Sequence, residues 1–545
     1  MDTSRTKRTA TIIFIPSFLI ILGMLLWKCR YGFPSDEALY LLVPMRFING
    51  DIPLIHEWHP TQICYIWLQP VVALFLKING GTEGIFLAFR YIFTAVWGLF
   101  SLFVFARLRK ISPIGALLAS LMIFIYVPFG EMALYYNTIG IITLLSSSVI
   151  VLTAQKWKPF QYMAAGALYA VAVTCCPFLA LAFPVLIIIA IICKEKLFLF
   201  FTGGILVIFA VFCIYCLSKA SLSDIIHSIP YLAGDREHPF SLTDKIATYF
   251  LSILTSSYLT PVFLALLLGP IALALCRKDS RTHKIGFVIT VALTIAMQVI
   301  YLVKGSFFNT FMFAPMFIAV YCFITSKDKD IRRLFFMVWL PGLFYTVCLH
   351  MSSNLDFGAI SSAASIPSVA SVIIAVIYIR EEFSTGDLRK ISIAVFAALI
   401  AFQLSVETYM RITYIFSENT LSNMTDTADK GAMKGLISTG NRIFYYEVML
   451  YELKPLIESD ADKVLIMSPE SWMYLEVDKA IGSYTCWSPL IDDYTVDLLE
   501  EYYGMYPDMK PDMIYVEPYY TDLVPRLASL GYTEQKTALG GYVLS

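Results

Sequence analysis

Residues 10–27 read ATIIFIPSFLIILGMLLW, and Lys28-Cys29-Arg30 closes this apolar run before Tyr31-Gly32-Phe33-Pro34-Ser35-Asp36-Glu37. A helix of that length rises about 27 Å, close to the roughly 30 Å of hydrocarbon in a bilayer. The run therefore reads as a membrane-spanning helix. It lacks a small-x-small cleavage site, and Trp27-Lys28 before Cys29 does not suit a lipoprotein signal, so the helix is expected to be retained. Two adjacent carboxylates just beyond a span are costly to desolvate unless they meet a cation, a proton or a substrate. Asp36-Glu37 is the first place to look for chemistry.

The same pattern recurs along the 545 residues, of which 58% are apolar and 15% charged, with a mean hydropathy of +0.70. Soluble domains carry about 25% charged residues, so the composition excludes that class. From Thr408 onward there are 21 Asp and Glu against 10 Lys and Arg, although the whole chain has a net charge of −1. A basic membrane part is thus followed by an acidic tail. The cations are scattered among short loops and form no groove-like patch, which argues against a nucleic-acid partner. Most of the 11 cysteines lie in apolar runs and read as small buried hydrophobes. By spacing, Cys29 and Cys64 are one candidate pair. No His/Cys spacing suggests structural zinc.

Apolar stretches of spanning length fall near residues 10–27, 84–106, 112–129, 138–154, 160–175, 178–193, 197–217, 250–275, 285–303, 308–325, 334–349, 358–379 and 391–407, about thirteen spans. Alternate loops are short and basic: Arg5/Lys7/Arg8, Arg107/Arg109/Lys110, Lys156/Lys158, Lys194/Lys196, Arg277/Lys278/Arg281/Lys284, Lys327/Lys329/Arg332/Arg333 and Arg380/Arg389/Lys390. The positive-inside rule then puts the N-terminus in the cytoplasm and the acidic tail outside. The stretch 62–78 would invert that order if it spanned. It holds Gln62, Gln69, Pro70 and Lys77, and is expected to lie at the outer face instead. The expected fold is an all-α polytopic membrane domain over 1–407, with an external α/β domain over 408–545.

In the long first outer loop, 28–83, Ser35 suits a helix N-cap, and Asp36 and Glu37 suit the first turn that follows. They serve that helix start, or they serve chemistry. The run Asp36-Glu37-Ala38-Leu39-Tyr40, then Arg46-Phe47-Ile48-Asn49-Gly50-Asp51, then His59-Pro60, resembles the first outer loop of GT-C glycosyltransferases. The likeness is nearest to the protein-mannosyltransferase and aminoarabinose-transferase branch and related bacterial sugar transferases. It covers roughly residues 10–110 at motif level, including Gly84, Arg90 and Tyr91 at the next span.

The resemblance implies transfer of a sugar from a polyprenyl-phosphate-linked donor to a glycan, lipid or protein acceptor at the outer face. It makes Asp36 the general base, assisted by Glu37, or makes the two hold a divalent cation, Mg²⁺ or Mn²⁺. It also implies a second acid in the next outer loop, where Glu131 stands in Phe129-Gly130-Glu131; an exposed loop acid is the plainer reading. Phosphate binding falls to a Lys-Pro in relatives, where this chain has His59-Pro60. Tyr40, Arg46, His56, Gln62 and Arg90 are the other substrate-binding candidates nearby. Asn137 follows Tyr135-Tyr136, which also suit an interfacial anchor. Arg236, in Asp235-Arg236-Glu237-His238-Pro239, is a phosphate candidate or part of a solvated turn. Lys304 is a phosphate partner or a snorkelling lysine. His350, Asn354 and Asp356 are weaker candidates.

In the tail, Phe444–Ile457, Val496–Tyr503 and Leu523–Leu530 read as helices, and Val464–Met467, Met513–Val516 and Gly541–Leu544 as strands. Asp492-Asp493 reads as a turn or a helix cap. Trp472, Tyr474, Tyr484 and Trp487 read as core, with sugar stacking in acceptor recognition as the alternative. A lipid-linked glycan transporter or flippase is the first rival function, but charges inside spans are nearly absent and the two halves do not match. A non-catalytic cell-envelope assembly protein is the second, and it leaves Asp36-Glu37 without a purpose.

Overall fold

The computed structural model describes residues 3–545 apart from 156, 193, 195, 234–240, 278, 305–311, 384, 416–417 and 419. Among them, eight helices are long and apolar enough to cross a membrane: Ser4–Lys28, Ile85–Leu108, Tyr136–Thr153, Phe198–Leu217, Ser280–Val303, Lys329–Met351, Asp356–Glu382 and Asp387–Thr413. Leu242–Thr255 and Thr260–Cys276 add a ninth only if taken together, because they meet at 85°. Asp356–Glu382 has 94% of its most apolar window buried and forms the centre of the bundle, whereas Phe198–Leu217 has 11% buried and lies at its edge.

Thirteen long helices are therefore not found. The stretch 112–129 yields only Pro113–Ile125, 13 residues, about 20 Å at 1.5 Å per residue. Ser112 accepts the Gly115 N–H at its start, and Tyr126 ends it in extended backbone. Prolines account for other interruptions, since they favour a new first turn over a continuing one. Pro177 opens a 3₁₀ turn before Ala182–Ile192, Pro261 sits in the first turn of Thr260–Cys276, and Pro315 precedes the short helix Met316–Thr325. The stretch 62–78 is two short helices, Gln62–Tyr65 and Gln69–Asn79. Cys29 and Cys64 are not paired: Cys29 Sγ meets Thr94 Oγ1 at 3.2 Å, and Cys64 Sγ lies 3.3 Å from Cys175 Sγ.

Helix ends gather in two groups. Lys28 Nζ donates to Ile412 O, Arg411 to Val127 O, Trp67 Nε1 to Thr174 Oγ1 and Lys245 Nζ to Asn354 Oδ1. At the other end of the bundle, Arg107 donates to Thr153 and Gln161, Arg333 to Leu152 O, and Ser326 to Glu382. The basic loops around Arg107 and Arg333 belong to this second end.

Past Thr413, β1 (Asp426–Thr427) and β2 (Ile437–Ser438) pair antiparallel. A five-stranded sheet then has the order β4-β3-β5-β7-β6, built from β3 (Lys463–Met467), β4 (Ala480–Ile481), β5 (Met513–Val516), β6 (Glu534–Lys536) and β7 (Tyr542–Leu544). β3 runs parallel to β4 and β5, and β7 antiparallel to β5 and β6. Val464–Met467 and Ile514–Val516 are buried, which is why they read as unbroken apolar runs. Asp492 and Thr495 form a capping box at the start of Asp493–Met505.

This sheet region rests on the first loop. Gly32 N–H donates to Ile437 O, Ile437 N–H to Arg30 O, Trp58 N–H to Tyr484 O and Gly84 N–H to Gly431 O. Thr82 Oγ1 donates to Leu475 O and Tyr502 OH to His56 O.

Candidate active site

The helix Glu37–Ile48 begins directly after Asp36, not after Ser35, and the Asp36 side chain makes no capping hydrogen bond. Capping therefore does not explain the carboxylate. Asp36 instead lines a cavity of about 560 Å³, within the roughly 300–1,000 Å³ of ordinary small-ligand sites. One turn on, Tyr40 lines the same cavity, as the i, i+4 spacing requires. His59, Tyr136, Lys245 and Trp487 bring further polar groups, while Leu39, Pro60, Phe178, Leu232, Met351 and Leu355 supply apolar wall. The lining thus joins the first loop, the ends of several helices and the sheet region.

Two donors, Lys245 and His59, line this space together with Asp36. Lys245 Nζ donates to Asn354 Oδ1 at 2.7 Å and to Ser353 O; an ammonium has three N–H groups, so one remains for a ligand. His59 Nδ1 accepts the Thr61 N–H at 3.3 Å and lies 2.8 Å from Thr61 Oγ1. A neutral ring held that way carries its proton on Nε2 and is a donor there.

Glu37 does something else. Its two carboxylate oxygens take three bonds from Arg90, Nη2 at 2.7 Å and Nε at 2.9 and 3.2 Å, and both side chains are buried. Arg90 Nη1 also donates to Cys29 O, Tyr31 O and Gly32 O at 3.1–3.2 Å. This fixes the chain leaving the first span onto the second. Glu37 is thus engaged by Arg90, and no three His, Cys, Asp or Glu side chains converge among the described residues.

Glu131 is not an exposed loop acid. It is buried, accepts the Tyr40 OH at 3.2 Å, and leaves Oε1 without a hydrogen bond. Burial, with the Asp36 and Glu37 charges adding to it, holds its carboxyl well above the usual range. Its contact with the cavity runs through Tyr40, whose ring stacks on Tyr135 at 4.9 Å.

The other expected binding residues divide. Arg46 is fully enclosed: it donates to Asp51 at 2.5 Å, Glu57 at 2.7 Å, His56 O at 2.6 Å and Ser483 O at 2.7 Å. Burial alone would lower its pKa, and Asp51 and Glu57 hold it above its ordinary value. His56 Nδ1 accepts the Ile52 N–H, and burial lowers the ring's pKa. Gln62 accepts the Leu54 N–H and donates to Glu57 O. These three build the loop and do not line the cavity. Asn137 is buried in the first turn of its helix, beside cavity-lining Tyr136. Lys304 stands 3.6 Å over the Tyr258 ring and does not line the cavity. Arg236 lies outside the described residues.

Lys245 escaped the sequence reading, yet it left a signal. It sits in the first turn of Leu242–Thr255, where the helix dipole disfavours a cation. A lysine there points to an anionic partner elsewhere. Chemically, the arrangement pairs one proton acceptor with two donors suited to a phosphate, in a cavity walled largely by apolar side chains. No protein-family model matches the chain, and no curated protein matches it.

Proposed function

We propose that the chain is a GT-C-type membrane glycosyltransferase that moves a sugar from a polyprenyl-phosphate-linked donor to an acceptor at the outer face of the cell membrane. The observation that carries this reading is the Asp36 carboxylate lining one cavity together with Lys245 and His59. Asp36 takes the proton of an acceptor hydroxyl as its oxygen bonds to the anomeric carbon. The bond from that carbon to the phosphate oxygen breaks, and the phosphate leaves with the electron pair. Lys245 and the His59 Nε2–H donate to it, because stabilising charge as it develops lowers the barrier. Apolar wall around the charged groups suits a polar head on a lipid chain.

The orientation belongs to the same proposal. Gathering of Arg107 and Arg333 at the end remote from the first loop supports a cytoplasmic N-terminus, with the cavity and the α/β region outside. The bent and shortened helices would complete about thirteen passes, some of them broken. Reconstitution in liposomes with radiolabelled polyprenyl-phosphate sugars tests the function. Carrier-dependent transfer to an acceptor is expected; movement of the lipid across the bilayer without transfer would refute the enzyme in favour of a flippase.

A further inference from the structure

A second concavity of about 370 Å³ adjoins the Asp36 cavity, and His59 and Trp487 line both. Its walls come from three distant parts of the chain: Trp58 in the first loop, Tyr231 in the helix Leu222–Ala233, and Tyr484, Trp487 and Tyr494 in the sheet region. The rings brace one another. Trp58 stacks on Tyr231 with centroids 4.3 Å apart, lies 5.3 Å from Tyr484, and donates its indole N–H to Ile55 O. Tyr231 OH donates to Glu501 Oε1 at 2.5 Å. Trp472 and Tyr474, the other aromatics considered for stacking, are buried in the core.

The lining chemistry selects the ligand. Among the described residues no Lys or Arg side chain lines this space, in contrast to the cavity with Lys245, and the Glu501 carboxylate that does line it disfavours a phosphate. Among the described residues no strand residue lines it either, so it offers no strand edge to which a peptide could add. What the walls offer is aromatic faces beside the hydroxyls of Thr485 and Ser488 and the carboxylate of Glu501. A pyranose presents apolar C–H faces that pack on such rings and a rim of hydroxyls that bond such groups.

We infer that this concavity is a binding site for a neutral oligosaccharide, and that it delivers the acceptor hydroxyl past Trp487 to Asp36. The word acceptor rests on the transferase reading, whereas the binding does not. Calorimetric titration of the full-length protein in detergent, with maltotetraose, cellotetraose, mannotetraose and chitotetraose, tests it, with a neutral tetrapeptide as the comparison. At least one tetrasaccharide is expected to bind saturably, with Tyr494→Ala and Trp487→Ala each weakening it by about tenfold or more. Tyr494 is 47% exposed, so its removal spares the fold. Asp36→Asn is expected to bind the saccharide as the wild type does. Absence of saturable saccharide binding, binding indifferent to both substitutions, or preference for the peptide would overturn the inference. Intact, Tyr494-dependent saccharide binding by a wild-type protein that transfers no sugar from any polyprenyl-phosphate donor would instead sink the transferase reading and leave the site standing.

Discussion

Asp36→Asn and Glu37→Gln are each nearly isosteric, one residue apart, and the structure demands opposite outcomes from them. Glu37 is half of a buried ion pair with three N–H···O contacts. Removing one partner of such a pair typically costs about 3–5 kcal/mol, because the other charge stays buried. Arg90 keeps the carbonyls of Cys29, Tyr31 and Gly32, and a glutamine keeps one acceptor oxygen, so the lower end applies, about 3 kcal/mol. Asp36 makes no capping bond, and asparagine is as good as aspartate at a helix start, so its replacement leaves stability within about 0.5 kcal/mol. Loss of a general base lowers a rate by roughly 10²–10⁴, or about 2.7–5.5 kcal/mol of barrier.

Thermal unfolding followed by tryptophan fluorescence, and initial rates of transfer in liposomes, measured on the same preparations, separate the two. Asp36→Asn should melt with the wild type and transfer almost nothing, and Glu37→Gln should melt several degrees lower. A Glu37→Gln protein of wild-type stability that has lost all transfer would refute the division and make Glu37 the chemical group. A folded Asp36→Asn protein working at the wild-type rate would refute the base and turn attention to Glu131.

Lys245→Met should lower kcat/KM roughly tenfold to hundredfold, chiefly through kcat, since a charge-assisted hydrogen bond contributes about 1.5–3 kcal/mol; an unchanged kcat/KM removes Lys245 from the phosphate. Glu476, which accepts from Tyr446 OH and the Ala432 N–H, has its carboxyl pushed up to about 7 by burial. The folded protein thus holds this proton more tightly than the unfolded chain, and the stability gained is complete below the ordinary carboxylate value and lost as pH rises through 7. Glu476→Gln should accordingly gain up to about 3 kcal/mol over the wild type at pH 8 and little at pH 5, and equal melting shifts at both would contradict it. For orientation, a membrane-impermeant maleimide should label a single cysteine placed at exposed Tyr519 and spare native Cys276 in sealed cells; the reverse pattern would place the cavity in the cytoplasm.

The helical plan was legible because a bilayer accepts little but long apolar runs, and those of Ile85–Leu108 or Asp387–Thr413 have no other reading. Their number was not, since Pro177, Pro261 and Pro315 sit inside or beside apolar stretches and break them without changing their hydropathy. The strands Lys463–Met467 and Met513–Val516 showed as short apolar runs between turn residues, and the helix over Val496–Tyr503 by its period. At the candidate site, Asp36, which lines the cavity, stood out by its cost, whereas Arg46, His56 and Gln62 were gathered only because they stand near it in sequence. Proximity cannot tell a side chain that bonds a ligand from one that bonds its neighbours. Arg46 spends its donors on residues five, ten, eleven and 437 positions away. Lys245 was hidden for the converse reason, its partners Ser353 and Asn354 lying over a hundred residues downstream.

In the proposed transferase Arg46 nonetheless bears on the chemistry, through position. It projects from the helix that Asp36 begins, and its guanidinium binds Ser483 O and Glu57 together. Glu57 in turn accepts the N–H of His59 and of Cys486, the residue before Trp487. One buried ion cluster therefore sets the helix of Asp36, the loop of His59 and the segment of Trp487 against each other. Those three carry the acceptor, the donor and the shared wall of the two spaces. Only a planar group with five donors can hold them at once, so a lysine in its place would keep the charge and lose the alignment. On the proposed reading the sheet region is in this sense part of the active site, although none of its side chains is assigned a step in the reaction.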